Sequence, residues 1–103
     1  MADYRLTPSA EDDLWEIARY TLRTWGEAQQ RRYEAGLIKC FEALAEGSAR
    51  GRQPFPHRPD IRQVHCQHNF VFAIEVPDQP LAIVAVLHEG MDLMTRLVDR
   101  LGD

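Results

Sequence analysis

Lysine is almost missing from this chain: of its twelve basic residues only Lys39 is a lysine, and sixteen acids leave a net charge of −4. Affinity built on neutralising phosphates calls for a net positive field or a dense basic face, so direct nucleic-acid binding is not expected. Tyrosine stops early, at Tyr4, Tyr20 and Tyr33, and after Arg62 the only fixed cations are Arg96 and Arg100. No run of about 18 apolar residues occurs, which excludes a conventional membrane helix. The opening Met-Ala-Asp-Tyr-Arg lacks the basic-then-apolar layout of a signal peptide, so a cytoplasmic protein is expected. With only Cys40 and Cys66 present, no disulfide framework is implied, and cytosolic thiols are normally reduced. Glycines Gly47 and Gly51 flank a basic loop without the spacing of a phosphate-cradling loop.

What is there fits one small domain over residues 1–103, since 45% hydrophobic residues suffice for one core but not two. Tyr4-Arg5-Leu6 alternates as a short strand does. Thr7 is placed to cap a helix, Pro8 suits its first position, and Glu11, Asp12 and Asp13 complement its positive end. Ala10, Leu14, Ile17, Ala18, Thr21 and Trp25 recur as one buried stripe, and Gly26 suits a left-handed cap. A second helix over 27–46 follows, with Tyr33, Leu37, Cys40, Phe41 and Leu44 as its apolar stripe. The short junction folds the pair into a hairpin. Gly36 costs this helix about 1 kcal/mol relative to alanine, which close approach of the two helix backbones would offset.

From Gly47 to Asp60 the chain turns to glycine, serine, arginine and proline, an irregular connector because each proline removes a backbone donor. Between Gly47 and Pro59 it contains no acid, yet it holds Arg50, Arg52, His57 and Arg58. That composition suits a solvated loop, or a docking site for an acidic segment of a partner. Ile61 to Leu93 reads as three short strands joined by tight turns. The first runs to about Cys66. The second, 69–76, sets Phe70, Phe72, Ile74 and Val76 on one face. The third, Leu81 to Leu87, is apolar throughout, the pattern of a strand covered on both faces. Leu93, Met94, Leu97, Val98 and Leu101 then form one face of a terminal helix, with Asp92 as N-cap and Gly102 as terminator. So apolar a face must dock on its own sheet or on a partner.

Few residue groups suggest chemistry. His65-Cys66-x-His68 has metal-ligand types, but alternation along a strand points His65 and Cys66 to opposite faces; neither a metal nor any other cofactor is expected. Ser9 and Ser48 are explained by capping and turn formation, and Asp12-Asp13 by the helix dipole. No nucleophile–base spacing stands out.

The order strand, helix, helix and a three-strand meander ending in Val86-Leu87-His88 resembles the ParE branch of the RelE/ParE toxins, from Tyr4 to about Leu97. The resemblance implies an α+β fold, β-α-α-β-β-β, with a mainly antiparallel sheet packed on the helical hairpin plus a C-terminal helix. It implies the toxin of a type II toxin–antitoxin pair, a non-enzymatic inhibitor of DNA gyrase that a ParD-like antitoxin neutralises by wrapping along it. For the antitoxin the acid-free loop offers Arg52 and Arg58, the resemblance adds Arg62 at the arginine position of an L-R-x-L-like segment, and Phe70 and Phe72, on one strand face, belong either to an antitoxin groove or to the core. For the target it points to His88, Met91, Asp92 and Arg96, matching the family's V-L-H-x-x-x-D/N ending. Many relatives carry arginines just after that histidine, where this chain has Glu89, Gly90 and Met91. The alternative is the RelE branch, ribosome-dependent mRNA endonucleases that use clustered basic side chains and commonly a late tyrosine. Cleavage needs a base and a cation for the developing phosphorane charge, and here only His65, His68 or His88 with Arg62 offer themselves.

Overall fold

The computed structural model describes residues 3–90 and 92–101. Its elements follow as β1 (Tyr4–Leu6), α1 (Pro8–Trp25), α2 (Glu27–Glu46), β2 (Ile61–Cys66), β3 (Asn69–Ile74), β4 (Leu81–His88) and α3 (Leu93–Leu101). Met91, Gly102 and the side chain of Met94 lie outside the described residues, and with them the expectations placed there.

Local chemistry sets the helix limits. The Thr7 hydroxyl accepts from the Ala10 N–H at 3.2 Å, and Pro8 opens α1. Gly26 is the whole junction between helices: its N–H donates to the Leu22 carbonyl and its own carbonyl accepts from Gln30. Its φ of 92° needs a glycine, but its ψ of 174° is not the left-handed cap expected of it. Trp25 does not join the buried stripe. It is exposed, because α1 has passed the end of the sheet-facing core that holds Ala10 and Thr21. Gly36 also serves a different neighbour from the one expected. A Cβ there would stand 2.8 Å from the Gln67 amide nitrogen, so the glycine admits the β2–β3 turn rather than α1.

The four strands form one sheet in the order β1-β4-β3-β2. β1 runs parallel to β4, and the other two pairings are antiparallel. The helical hairpin covers one face through Leu37, Phe41 and Leu44 against Val71, Ala73, Ile83 and Val86. The other face is covered by α3: Leu97 is fully buried against a cluster of Phe72, Ala82, Val84, Ala85 and Leu87, with Phe55 of the connector beside it. This is why β4 is apolar throughout. A β-bulge explains its exact distribution: Phe72 pairs with Ala85 but Ala73 with Ile83, leaving Val84 unopposed. The extra residue shifts the alternation, so Leu81, Ile83 and Val86 face the hairpin while Ala82, Val84, Ala85 and Leu87 face α3.

Two sequence expectations need correction here. β3 ends at Ile74 rather than Val76: the Glu75 N–H turns to the Asp60 carbonyl, and Val76 is exposed. Cys40 and Cys66 are not separate thiols but a disulfide joining α2 to the end of β2. Folding brings their Cα atoms to 6.5 Å across a separation of 26 residues, a proximity that spacing in the chain does not reveal. Among the described residues, no helix is long and apolar enough to cross a membrane.

Candidate functional surfaces

The end of β4 is braced by the β2–β3 turn. Glu89 Oε2 lies 2.6 Å from His65 Nε2, and its Oε1 lies 3.1 Å from His68 Nδ1. Its own N–H donates to the His68 carbonyl at 3.0 Å. Hydrogen bonds from His68 and then His65 hold the Glu89 carboxyl below its ordinary pKa. The His65 ring stacks on Phe70 with centroids 4.6 Å apart. On the far side of the turn the Tyr33 hydroxyl accepts from the His68 N–H and donates to Asn69 Oδ1. Burial raises the Tyr33 pKa, and the charge of Glu89 raises it further against the opposing hydrogen bond from His68.

Beyond β4, the Gly90 N–H donates to His88 Nδ1 at 3.0 Å, and a Cβ on Gly90 would come within 3.1 Å of that nitrogen. The glycine that departs from the family ending is therefore the residue that lets the backbone close over the His88 ring. Asp92 caps α3 as expected, accepting from the Thr95 N–H and hydroxyl. His88, Asp92 and Arg96 are all exposed. Three of the four residues expected at the target surface are thus exposed at the end of β4 and on the first turn of α3, and Met91 lies outside the described residues.

The antitoxin set is not brought together. Arg62 pairs with Ala73 in the register, on the face under the hairpin, whereas Phe70 and Phe72 belong to the face under α3. Phe72 is 2% exposed and lies in the core, with Phe70 packed at its margin. The apolar stripe of α3 occupies the space in which a groove was envisaged. Arg62 is 18% exposed and engaged within the chain: its Nη1 donates to the Arg50 carbonyl, and its Nε lies 3.0 Å from Glu75 Oε1. That last contact has ion-pair distance without hydrogen-bond alignment. Arg58 forms a two-pronged pair with Asp60, which raises the Arg58 pKa and lowers that of Asp60. Arg52 forms a backbone bridge with Gln63, which covers part of the outer edge of β2 and leaves the arginine side chain exposed.

Sequence reasoning missed what Asp13 does. β1 accompanies β4 only as far as Ile83, so the next stretch of that edge needs other partners. Asp13 Oδ2 accepts from the Val86 N–H at 2.9 Å, and Arg100 Nη1 donates to the Val84 carbonyl at 2.8 Å. The same two side chains pair bidentately, at 3.0 and 3.1 Å, and tie α3 to α1. The hydrogen bond to Asp13 raises the Arg100 pKa despite partial burial, with Asp12 and Glu16 adding to it. Asp13 could have been told from Asp12 by the helical position it shares, one turn on, with Ile17, which packs against the core.

A β-α-α-β-β-β chain with a terminal helix closing the second face of its sheet has the fold of the RelE/ParE class. A solved structure described as the chromosomal ParDE TA system from P. aeruginosa shares this fold, at a TM-score of 0.69 and 15% identity, covering 85% of this chain and 96% of that one. The chain belongs to the ParE toxin family: residues 4–93 match the family described as ParE toxin of type II toxin-antitoxin system, parDE. It is also 46% identical over 101 residues to the Toxin ParE of Escherichia coli, covering 98% of each.

Proposed function

We propose that this chain acts as a gyrase inhibitor that binds without catalysing a reaction, and that a ParD-like antitoxin holds it silent. The observation that carries the target half is the braced segment after β4. Glu89 is fastened to two histidines, Gly90 folds onto His88, and Asp92 caps α3. His88 and Asp92 are thereby each engaged by a hydrogen bond within the chain while exposed, and side chains held in this way lose less entropy on binding. For the antitoxin, Arg52 and Arg58 with the neighbouring Arg50 form the exposed basic run that suits an acidic segment. Arg62 supports that run from beneath, through its hydrogen bond to the Arg50 carbonyl.

One observation favours the second reading, an mRNA endonuclease. Two exposed histidines share one carboxylate, an arrangement able to orient a general base. Yet the charged partner in that cluster is an acid, which opposes the anionic charge a phosphorane develops.

Induction without the antitoxin separates the two. Gyrase inhibition produces filamentation and a DNA-damage response with mRNA intact, and the purified chain blocks supercoiling. His88→Ala and truncation before Met91 weaken that block. Ribosome-dependent mRNA cuts with supercoiling unaffected would overturn the reading. For the antitoxin half, a neighbouring reading frame encoding a DNA-binding domain with an acidic helical tail should yield a complex on co-expression, weakened by Arg52→Glu.

A further inference from the structure

Tyr33, Gly36 and Cys40 follow at steps of three and four along one strip of α2, and all three meet the end of β2 and the turn after it. The Tyr33 carbonyl accepts from Gln67 Nε2 at 2.9 Å, and the Tyr33 hydroxyl accepts from the His68 N–H at 3.1 Å. Gly36 leaves room for the Gln67 amide. Cys40 is bonded to Cys66, the last residue of β2. The far side of the same turn holds Glu89, through the His65 and His68 rings and the His68 carbonyl. A covalent bond to α2 thus stands, in the chain, between the two histidines that brace the end of β4. The hydrogen bonds that otherwise join α2 to Gln67 and His68 lie at exposed sites, where water competes for them.

We propose that Cys40–Cys66 is a thiol–disulfide exchange site that switches the segment after β4: the oxidised chain clamps the turn that braces Glu89, and the reduced chain frees it. That this governs target inhibition rests on the reading of His88 and its neighbours as the target surface. The two sulfurs differ in access, since Cys66 is 4% exposed and Cys40 is half-buried at the margin of the core. A thiolate of a dithiol reductant therefore attacks Cys40 Sγ, and Cys66 leaves as a thiolate and takes up a proton. The reductant's second thiol then attacks its own sulfur in the mixed disulfide and releases Cys40. Two electrons and two protons pass to the chain, and the reductant becomes a disulfide. The new Cys66 thiol has an acceptor in place, because its Sγ lies 3.6 Å from the Gly36 carbonyl oxygen. The core under the hairpin packs Leu37, Phe41 and Leu44 on Val71, Ala73, Ile83 and Val86, none of which the exchange touches. In cytoplasmic proteins disulfides are mostly transient or redox-sensing rather than permanent.

Backbone NMR relaxation on the oxidised and the dithiothreitol-reduced chain tests this, with folding checked by circular dichroism. Reduction should drop the order parameters of His68, Glu89 and Gly90 from about 0.85 to below about 0.6, while those of 81–87 stay rigid. The reduced chain should then need more than about tenfold higher concentration for the same block of supercoiling, and glutathione disulfide should restore the block. Cys40→Ser behaves as the reduced chain and ignores reductant. By intact mass, glutathione disulfide should modify Cys40 in Cys66→Ser and spare Cys66 in Cys40→Ser. Equal order parameters in both states, or modification of Cys66 ahead of Cys40, overturn the switch. So does a reduced chain that unfolds outright, since the bond is then a staple. Loosening with an equal block in both states overturns the control of target contact. Loosening in a chain that blocks supercoiling in neither state upholds the switch and overturns the target reading.

Discussion

The two faces of the sheet are built by different means. Under the hairpin, two long helices bury Leu37, Phe41 and Leu44, and a covalent bond between Cys40 and Cys66 fastens α2 to β2. Under α3, nine residues of helix bury Leu97 on Phe72 and its neighbours. There the fastening is polar: Asp13 with Arg100, and Glu89 with His65 and His68 at the start of the linker. The residues proposed for the target lie beside the second face. A toxin core that must survive can thus be separated from a presenting segment that can be adjusted, because local stability need not be uniform across a fold.

That contrast can be broken most severely from the hairpin side. Phe41→Ala removes a fully buried ring and should cost about 3–5 kcal/mol, unfolding the whole chain in one transition by denaturant melting. Reducing the disulfide, or replacing Cys40 with serine, reopens a loop closed across 26 residues and should cost about 3–4 kcal/mol on the chain-entropy estimate. An unchanged midpoint under reductant would show that the bridge does not constrain the unfolded chain. On the α3 side, Arg100→Ala leaves the Val84 carbonyl without its side-chain donor and Asp13 without its cation, a loss of about 1–3 kcal/mol. Hydrogen exchange should accelerate over 93–101 well before the amides of 81–87 that bond to β3; equal acceleration would mean the two faces unfold as one.

The smallest effect sharpens the contrast through pH. Glu89 has its pKa lowered from an ordinary 4.5 by hydrogen bonds from His68 and His65. Its contribution is therefore complete above the ordinary carboxyl range and fades as pH falls through its lower folded value. Carboxyl NMR titration should place the Glu89 midpoint below the ordinary glutamate value of 4.5, and Glu89→Gln should remove this acid-side step from the stability profile; a midpoint at or above the ordinary value would break the assignment.

Much of the architecture could be read from residue order. Thr7-Pro8 announced α1, glycine marked the single-residue junction, and the valine-rich run 81–87 announced an interior strand. These signals are local: a cap, a positive φ and a period each act within a few residues. The site was less legible. Phe70 and Phe72 were correctly placed together on one face, but only the docking of α3 decided that this face is closed. Arg62 is an attractive anchor in isolation, yet Arg50 and Glu75 engage it from segments 12 and 13 residues away. Trp25 continues the heptad-like spacing of the buried stripe, and periodicity cannot say where the opposing surface ends.

The sequence by itself determined the identity and order of the elements, the two-faced burial of β4 and the family to which the chain belongs, since all of these rest on patterns carried by neighbouring residues. Tertiary structure alone decided which side chains meet. Asp13 caps a sheet edge only because β1 is three residues long and Arg100 returns from the end of the chain. Cys40 reaches Cys66 only because α2 lies over β2. The bulge at Val84 follows from register with β3. Each of these depends on the distance between segments far apart in the chain, a quantity that folding sets and no local pattern encodes.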